Sequence, residues 1–324
     1  MYDIKSIFNN LNYNVIDYEK ILTLANSVYK VFTQDGIFFI KIYESLNEQD
    51  IGFKLFHIYS LLSKHEIPTP QVIIYDNSST QIKNPYIILR EVEGKPIKEV
   101  ITTLSEIQKL ELYSNLGEVV GRIHSITFDM FGESLDMKTV GKSNEANKKG
   151  PFHSWIDMHR EIINSRLKLF RNSSFEDLIK PIQYYFKNHS HLFEYDVVPR
   201  LLHTDLNQKN IFINKNQITG IIDFDDAIVG HSEEEIMRIE GAHFTNNSQL
   251  KEAFLRGYTS IVDLDENYEK RRIFYYLSRL LVHIGCIIKY QSNYVKNVKE
   301  EEQRIRTEIE DIINERDIFF DKNR

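Results

Sequence analysis

The sequence is short of features that several classes of protein need. A single cysteine, Cys286, among 324 residues excludes an internal disulfide framework and suits a reducing compartment. No Cys/His spacing suits a zinc site, and no G-x-G-x-x-G motif follows a predicted strand. The first residues, Met1-Tyr2-Asp3-Ile4-Lys5, lack the apolar core of a signal peptide. We therefore expect a cytoplasmic protein that is built on neither zinc nor a dinucleotide fingerprint.

Excess basic charge and long apolar runs are also missing. The net charge of -7 argues against nucleic acid as a partner. The most apolar stretch, residues 273–290, contains Arg279 and His283, so it reads as a buried core helix rather than a membrane span. A hydrophobic content of 42% over 324 residues is ordinary for a globular enzyme with two cores. Nothing in the residue pattern specifies an oligomeric state.

One motif carries the first chemical signal. His203-x-Asp205-x-x-x-x-Asn210 is followed by a second apolar segment that ends at Asp223. An enzyme that moves the γ-phosphoryl group of ATP needs a carboxylate near the attacking hydroxyl, and an asparagine with a second carboxylate on Mg²⁺. The spacing predicts Asp205 at the catalytic position and Asn210 with Asp223 at the metal. A polar loop in an α/β enzyme of another type is the alternative.

The residues around this motif predict a hairpin. Residues 210–214 and 218–223 are strand-like, and the turn Lys215-Asn216-Gln217 suits their connection. Such a hairpin would bring the three polar side chains of the motif to one end.

A second hairpin is predicted near the N-terminus, where residues 28–32 and 37–42 flank an Asp-Gly turn. Lys41 lies in the second, otherwise apolar strand, where a buried ammonium is costly unless it is paired. The functional interpretation is a lysine that holds the α- and β-phosphates. The alternative is a strand-edge lysine that reaches water. Ser27, a small residue at the start of the hairpin, would let backbone N–H groups approach phosphate.

With these motifs in this order, the chain resembles the aminoglycoside phosphotransferase family of small-molecule kinases, which share the protein-kinase fold. The resemblance covers nearly the whole chain, and the order of its marks carries it. The marks are Asn26-Ser27-x-Tyr29-Lys30-Val31, Ile40-Lys41-Ile42, His65-Glu66-Ile67-Pro68-Thr69-Pro70, residues 85–94, Leu116-Gly117, residues 122–125 and 128–132, His203-x-Asp205, and Ile222-Asp223-Phe224-x-Asp226-Ala227.

The resemblance implies an α+β, bilobal, protein-kinase-like fold. Its N-terminal lobe has an antiparallel sheet with one main helix, and its larger C-terminal lobe is mostly helical and carries the catalytic hairpin. The break at Glu93-Gly94-Lys95-Pro96 divides the chain into a nucleotide-binding lobe, residues 1–93, and a catalytic and substrate-binding lobe, residues 94–324.

The resemblance also implies ATP and Mg²⁺ as cofactors. Backbone groups of Glu91, Val92 and Glu93 should bind adenine. His203 should brace the catalytic loop rather than act as a base. Asp225 and Asp226 follow Asp223 directly, and we expect one to support the metal ligands and the other to face the substrate.

The chain departs from the family pattern at two places. Thr204 stands where glycine is usual, and a β-branched residue narrows the backbone options of the loop. Leu55 stands where the family has the glutamate that pairs with the strand lysine. We expect Glu48, with Asp50 as the second choice, to pair with Lys41 instead.

The acceptor is expected to be a small hydroxylated molecule, with a hydroxyl of an aminoglycoside or related antibiotic favoured. A cationic amino-sugar would need negative charge, for which carboxylates of the C-terminal lobe are candidates. The alternative is that they form the acidic first turn of a helix and solvated surface. These candidates are Glu233, Glu234, Glu235, Glu240 and Asp263 or Asp265. Trp155 and His153 either line the acceptor pocket or pack a helix.

Three alternative functions remain. The first is a metabolic kinase of sugars, choline-like alcohols or amino-acid derivatives. The second is a weakly active, nucleotide-binding regulator, against which the intact lysine, asparagine and aspartates argue. The third is a protein kinase, against which the missing Gly-rich loop and the Asp-Phe-Asp in place of Asp-Phe-Gly argue.

Apolar periodicity predicts the remaining elements. Residues 1–20 suggest an amphipathic helix and a lead-in, and Ser232-x-x-Glu235 predicts a capping box. Strands are expected at 72–75 and 86–92, and helices at 45–65, 104–126, 152–171, 174–190, 233–243, 248–260, 268–291 and 298–316.

Overall fold

The computed structural model describes residues 2–21, 26–44, 49–133, 150–244, 247–293 and 295–315. Its strands are β1 (Val15–Ile21), β2 (Ser27–Thr33), β3 (Gly36–Ile42), β4 (Val72–Asp76), β5 (Tyr86–Arg90), β6 (Lys95–Pro96), β7 (Arg200–Leu202), β8 (Ile211–Asn214), β9 (Gln217–Ile221) and β10 (Ile228–Gly230). Its helices are α1 (Ile4–Asn9), α2 (Gln49–Lys64), α3 (Ile97–Val100), α4 (Glu106–His124), α5 (Trp155–Lys168), α6 (Ile179–Asn188), α7 (Ser232–His243), α8 (Ser248–Thr259), α9 (Tyr268–Tyr290) and α10 (Val298–Ile313).

A five-stranded antiparallel sheet of order β1-β2-β3-β5-β4 forms the N-terminal lobe. The alternating burial along β2 and β3 is the period-2 signal that predicted their hairpin, which the structure confirms. The short helix α1 covers one face of the sheet with Ile4, Ile7 and Phe8. The side chain of Asp3 caps this helix by accepting from Ser6 N–H at 3.0 Å.

The second face of the sheet is covered by α2, whose buried residues share a core with the C-terminal lobe. Leu55, Ile58 and Leu62 of α2 belong to the same hydrophobic cluster as Leu116 of α4 and Ile221 of β9. The main helix of the front lobe is therefore packed against both lobes, close to where the catalytic hairpin ends.

The chain passes between the lobes at a tight backbone approach. Gly94 has a φ of 98°, and a Cβ atom there would lie 2.2 Å from the carbonyl oxygen of Ile213. Only glycine fits this combination of positive φ and contact. From here β6 pairs with β8, which joins the link to the catalytic hairpin. The division of the chain at residues 93 and 94 stays a prediction.

The C-terminal lobe is mostly helical, as expected. A second hydrophobic cluster joins α5, α6, α9 and α10. By length and composition α9 could cross a membrane, but Phe274, Leu277, Leu281 and Ile284 are buried in this cluster. It is packed as a core helix, in agreement with the prediction for residues 273–290.

Two sequence predictions about local structure are wrong. Residues 15–21 form the edge strand β1 rather than part of a helix and lead-in. The capping box at Ser232 is absent, because Ser232 is the first residue of α7, the N-cap is His231, and no side chain caps the helix. Glu235 is used elsewhere, as described below.

Candidate active site

Lys41 reaches across the cleft between the lobes. It lies on β3, between Val28 of β2 and Ile87 of β5, and its Nζ forms an ion pair with Oδ2 of Asp225 in the rear lobe. The two side chains are 18% and 22% exposed, so the pair is shielded but open to the cleft. The ion pair with Asp225 offsets the free-energy cost of placing an ammonium group in an apolar strand. Lys41 points into the interlobe cleft.

Asp205 and Asn210 meet on the catalytic loop between β7 and β8. The Nδ2 of Asn210 donates to the carbonyl oxygen of Asp205 at 2.9 Å and to its Oδ2 at 3.2 Å. Asn207 Nδ2 donates to the same carboxylate oxygen at 3.0 Å. Because the amide nitrogen of Asn210 is used this way, its amide oxygen is the atom left to bind a cation. Asp205 is exposed, whereas Asn210 is buried.

The predicted catalytic hairpin is confirmed. β8 and β9 pair antiparallel, and their two-residue turn, Lys215-Asn216, has φ values of 48° and 63°. Two successive positive φ values are typical of the type I′ hairpin turn. At the other end, Ile222 N–H donates to the carbonyl oxygen of Asn210 at 3.0 Å. Asp223, the next residue, therefore lies at the same end of the hairpin as Asn210.

Three carboxylates share this end of the cleft with one ammonium. Burial raises the pKa of Asp223, and the charges of Asp225 and Asp205 raise it further, against the opposing effects of Lys41 and His203. The Asp223 side chain is exposed at the cleft surface even though many protein atoms surround it. Unbalanced carboxylate charge and amide oxygen suit a hard divalent cation such as Mg²⁺.

His203 joins the two segments that carry these groups. Its Nδ1 accepts from Asp205 N–H at 3.2 Å, so its Nε2 carries the proton and donates to the Ile222 carbonyl at 2.8 Å. Its ring also lies against Phe224, with centroids 4.3 Å apart. Both ring nitrogens of His203 are therefore hydrogen-bonded to backbone groups, one in each of the two segments.

A glutamate of α7, whose role the sequence did not indicate, anchors the catalytic loop. Glu235 is 1% exposed and accepts from the N–H groups of His203 at 3.1 Å and Thr204 at 2.5 Å. His124 Nε2 lies 2.8 Å from the same carboxylate. Burial tends to raise the pKa of Glu235, but the hydrogen bonds from His124 and from the Thr204 N–H outweigh it and lower the pKa.

Thr204 itself is held on three sides. Besides Glu235, the guanidinium of Arg238 donates to its carbonyl oxygen at 3.0 Å, and its hydroxyl donates to the Asp226 carbonyl at 3.0 Å. These contacts keep the residue at a φ of 71°, a left-handed conformation that β-branched side chains rarely adopt. The position is one where glycine would be unstrained.

The predicted adenine-binding segment lies between the lobes, and among the described residues both of its inner peptide units, Glu91–Val92 and Val92–Glu93, form no protein hydrogen bond. Glu91 N–H donates to the carbonyl oxygen of Ile37 at 2.9 Å, and the Glu93 carbonyl accepts from the Thr219 hydroxyl at 2.5 Å. The Glu91 side chain pairs with Lys30 at 2.8 Å. Among the residues that the structure describes, the N–H and C=O of Val92 form no protein hydrogen bond.

Two further nucleotide-site predictions concern Ser27 and the acidic partner of Lys41. The hydroxyl of Ser27, a buried residue, donates to Glu44 Oε1 at 2.5 Å. Glu48, the expected partner of Lys41, lies outside the described residues, as does the side chain of Asp50. The described partner of Lys41 is Asp225.

The acidic cluster of α7 is neither a substrate surface nor solvated, but three of its glutamates form the acidic first turn of the helix that the alternative interpretation predicted. Glu233, Glu234, Glu235 and Glu240 are all buried. Each contacts an internal cationic or histidine side chain: Arg271 for Glu233, Arg238 for Glu234, His124 for Glu235, and Arg272 with Lys251 for Glu240. Trp155 is buried and its Nε1 donates to Tyr275, which confirms the packing alternative for this residue.

A two-lobed α+β fold with this cleft defines a phosphotransferase of the protein-kinase-like class. The chain belongs to the APH phosphotransferase enzyme family, whose family model matches residues 22–274. It is accordingly an ATP-dependent small-molecule kinase.

Solved structures agree with this fold. The apo thermostable mutant of aminoglycoside phosphotransferase APH(4)-Ia aligns with a TM-score of 0.68 at 14% identity, covering 96% of this chain and 99% of that one. A protein assigned as a fructosamine-3-kinase from Haemophilus somnus 129PT gives 0.65 at 17% identity, covering 93% and 96%. The streptomycin–ATP complex of APH(2'')-IIa gives 0.64 at 18% identity, covering 94% and 97%. No curated protein sequence gives a significant match.

Proposed function

We propose that this kinase transfers the γ-phosphoryl group of ATP to a hydroxyl of a small molecule at the cleft between Lys41 and the catalytic hairpin. The observation that carries the proposal is the contact of Lys41 with Asp225 across the lobes. That contact places the ammonium beside Asp223, whose pKa responds to Lys41, Asp225 and Asp205 together. Three groups that a phosphoryl-transfer site needs, Lys41, Asp205 and Asp223, are therefore within electrostatic reach of one another.

Each residue has a proposed role. Asp205 accepts the proton of the attacking hydroxyl or orients that hydroxyl, and positioning contributes more than proton removal in a loose transition state. Lys41 holds the α- and β-phosphates, and in doing so exchanges Asp225 for phosphate oxygens. His203 keeps Asp205 in place through the backbone contact described above.

Asn210 and Asp223 are the proposed Mg²⁺ ligands, and Asp225 is close enough to Lys41 and Asp223 to support them. Bound Mg²⁺ would neutralise negative charge on the phosphates. The raised pKa of Asp223 supports this role, because a carboxylate crowded by like charges gains from a dication.

The proposed adenine contact is the pair of peptide units on either side of Val92. Their N–H and C=O groups form no hydrogen bond within the described part of the protein. The side chains of Glu91 and Lys30 pair with each other beside this segment and would frame the base.

We propose an aminoglycoside or a related antibiotic as the acceptor. Support comes from the family and from the names of the similar structures, not from a charged pocket. The α7 glutamates that would have attracted a cationic amino-sugar are paired inside the protein. The same comparisons contain proteins assigned as fructosamine-3-kinases, which favours a metabolic sugar-derivative kinase as the second candidate. A cytoplasmic location is proposed for either enzyme.

Labelled ATP with a panel of acceptors tests these proposals. The panel contains aminoglycosides, macrolides, fructosamines, choline-like alcohols and simple sugars, each with Mg²⁺ and purified full-length protein. We expect phosphate on an aminoglycoside or related antibiotic. Transfer to fructosamines alone would select the second candidate. Nucleotide binding without transfer to any acceptor, and without hydrolysis, would contradict the phosphotransferase proposal.

A further inference from the structure

A buried lysine fastens α2 to the rear lobe. Lys54, in the first half of α2, is 1% exposed. Its Nζ lies 3.1 Å from Oε1 of Glu133 and 3.3 Å from the carbonyl oxygen of Ala227. Glu133 belongs to the segment that follows α4, and Ala227 follows the Asp223–Asp226 segment directly. One ammonium group therefore connects the main helix of the front lobe to two segments of the rear lobe.

Those two segments are also hydrogen-bonded to each other. Gly132 N–H donates to the Val229 carbonyl at 3.0 Å, and Val229 N–H donates to the Gly132 carbonyl at 2.7 Å. Glu133 and Ala227 thus lie within two residues of one β-bridge, which pairs Gly132 with Val229. Because Lys54 contacts both segments, a shift of its side chain would disturb both of them.

A second residue of α2 holds the opposite end of the carboxylate segment. Asp223 N–H donates to the hydroxyl oxygen of Tyr59 at 3.2 Å, and the Tyr59 ring packs edge-on against Phe224 with centroids 5.8 Å apart. Burial raises the pKa of Tyr59, so the hydroxyl stays neutral. The segment from Asp223 to Ala227 is therefore attached to α2 at its start by Tyr59 and at its end by Lys54.

We propose that Lys54 is a positioning residue for the phosphoryl transfer, a proposal that rests on the function proposed above. By holding Glu133 and the Ala227 carbonyl, it fixes the segment that presents Asp223 and Asp225 to the metal–nucleotide complex. In protein kinases the corresponding helix is coupled to the site by a glutamate paired with the strand lysine. Here the residue at that place, Leu55, is buried in the hydrophobic core. The neighbouring lysine couples α2 to the carboxylate segment instead.

If Lys54 positions the carboxylate segment, it should matter for nucleotide binding with metal and not for binding without it. The contacts described for Lys54 include neither the peptide units around Val92 nor the Lys41 ammonium, so we expect that nucleotide binding without metal does not need it. Binding of the metal complex needs Asp223 and Asp225 in fixed positions. Residues that orient metal ligands from behind typically change metal affinity or activity about 10- to 100-fold when they are replaced.

The test measures the affinity of AMP-PNP by calorimetry, with and without Mg²⁺, well below the melting temperature. The variants are Lys54→Met, which keeps the length of the side chain but not its charge, and Lys64→Met, an exposed-lysine control on the same helix. We expect wild type and Lys64→Met to gain affinity with Mg²⁺. Lys54→Met should keep the metal-free affinity within about twofold and lose about tenfold or more of the gain.

An undiminished Mg²⁺ gain in Lys54→Met would overturn the positioning role while leaving the proposed function intact. A wild-type protein without any Mg²⁺ gain would instead contradict the proposed function itself. A purely structural lysine would lower Tm without changing the gain of the folded protein. If Lys54→Met does not fold, Glu133→Gln, which removes the charge of the partner, must still reduce the gain about threefold; an unchanged gain there would refute the inference.

Discussion

Thr204 stands directly before the proposed catalytic aspartate in a left-handed backbone conformation. Such a conformation costs a β-branched residue roughly 1–2 kcal/mol relative to glycine. The surrounding contacts from Glu235, Arg238 and the Asp226 carbonyl hold it there. Strain that neighbouring groups maintain fixes the direction in which the next residue, Asp205, leaves the loop.

This strain predicts an inverted order of stability for two substitutions. Thr204→Ala loses the hydroxyl contact and keeps most of the strain, whereas Thr204→Gly loses both. We expect the glycine variant to be more stable than the alanine variant by about 0.5–1 kcal/mol, the reverse of an ordinary position. Urea unfolding of both variants measures the difference, and an alanine variant that is the more stable would show that the loop is unstrained.

The crowded carboxylates set the effect of pH on the site. Since the pKa of Asp223 is raised in the folded protein, the folded state binds this proton more readily than the unfolded state does. The contribution of Asp223 to stability is therefore present below the ordinary value of 3.8 and is lost as pH rises through the raised folded pKa. At neutral pH the ionised group opposes folding until a cation binds.

Removing this charge should separate stability from metal binding. In metal-free buffer at pH 7, Asp223→Asn should melt at the same temperature as wild type or slightly higher. Addition of Mg²⁺ should stabilise wild type by about 1.4 kcal/mol at ten times its Kd, and should leave the variant unchanged. Exposed Asp196→Asn is the matched control and should respond to Mg²⁺ like wild type. Equal Mg²⁺ stabilisation of Asp223→Asn would remove Asp223 from the metal site.

At the scale of elements, side chains of α7 hold the backbone of the catalytic loop. Glu235 accepts two successive loop N–H groups, and Arg238, one turn further, donates to the Thr204 carbonyl. The two side chains leave the same face of the helix, so one rigid element holds both the N–H and the C=O of Thr204. The helix adds these contacts to the hydrogen bonds that Asn207 and Asn210 form within the loop.

Glu235→Gln therefore should cost both stability and turnover. An amide presents a donor where the carboxylate accepted, so a buried N–H loses its partner, at about 2–3 kcal/mol. Turnover should fall about 10- to 100-fold because Asp205 is no longer held in position. Urea unfolding and acceptor-dependent phosphorylation measure the two effects, with exposed Glu252→Gln on α8 as the control. A variant as active as wild type would contradict the anchoring role.

The sign of the pH effect gives a second check on Glu235. Its pKa is lowered in the folded protein, so its stabilisation is present above the ordinary value of 4.5 and is lost as pH falls through the folded pKa. The stability difference between wild type and Glu235→Gln should therefore shrink at acid pH. A difference that grows below pH 4.5 would be inconsistent with the lowered pKa.

Local pattern predicted most of these elements and missed those that depend on distant partners. The long helices were predictable because each has an apolar face, as in α9 and α10, whereas the four-residue α3 was not predicted. β1 was missed because it is an edge strand with mostly exposed residues, which gives no alternating signal. The capping box failed because Glu235 finds stronger partners on a loop some thirty residues earlier in the chain, which spacing does not reveal.

At the scale of the whole molecule, the cleft depends on contacts between lobes. The motif spacing brought Asp205, Asn210 and Asp223 to one hairpin, and the hairpin formed as predicted. The partner of Lys41 could not be predicted, because Asp225 lies 184 residues away and only the packing of the lobes brings them together. The same holds for Glu233 and Glu240, whose arginine partners come from α9, whereas Glu234 pairs with Arg238 one turn further along α7.

The turnover of Asp205→Asn tests the convergence of the two lobes most directly. The asparagine keeps the shape of the side chain but cannot take the hydroxyl proton, so we expect kcat to fall about 10²- to 10⁴-fold. The affinity for AMP-PNP with Mg²⁺, which depends on Lys41, Asn210 and Asp223, should change by less than about threefold. Unchanged kcat in a variant that binds the nucleotide normally would contradict the account.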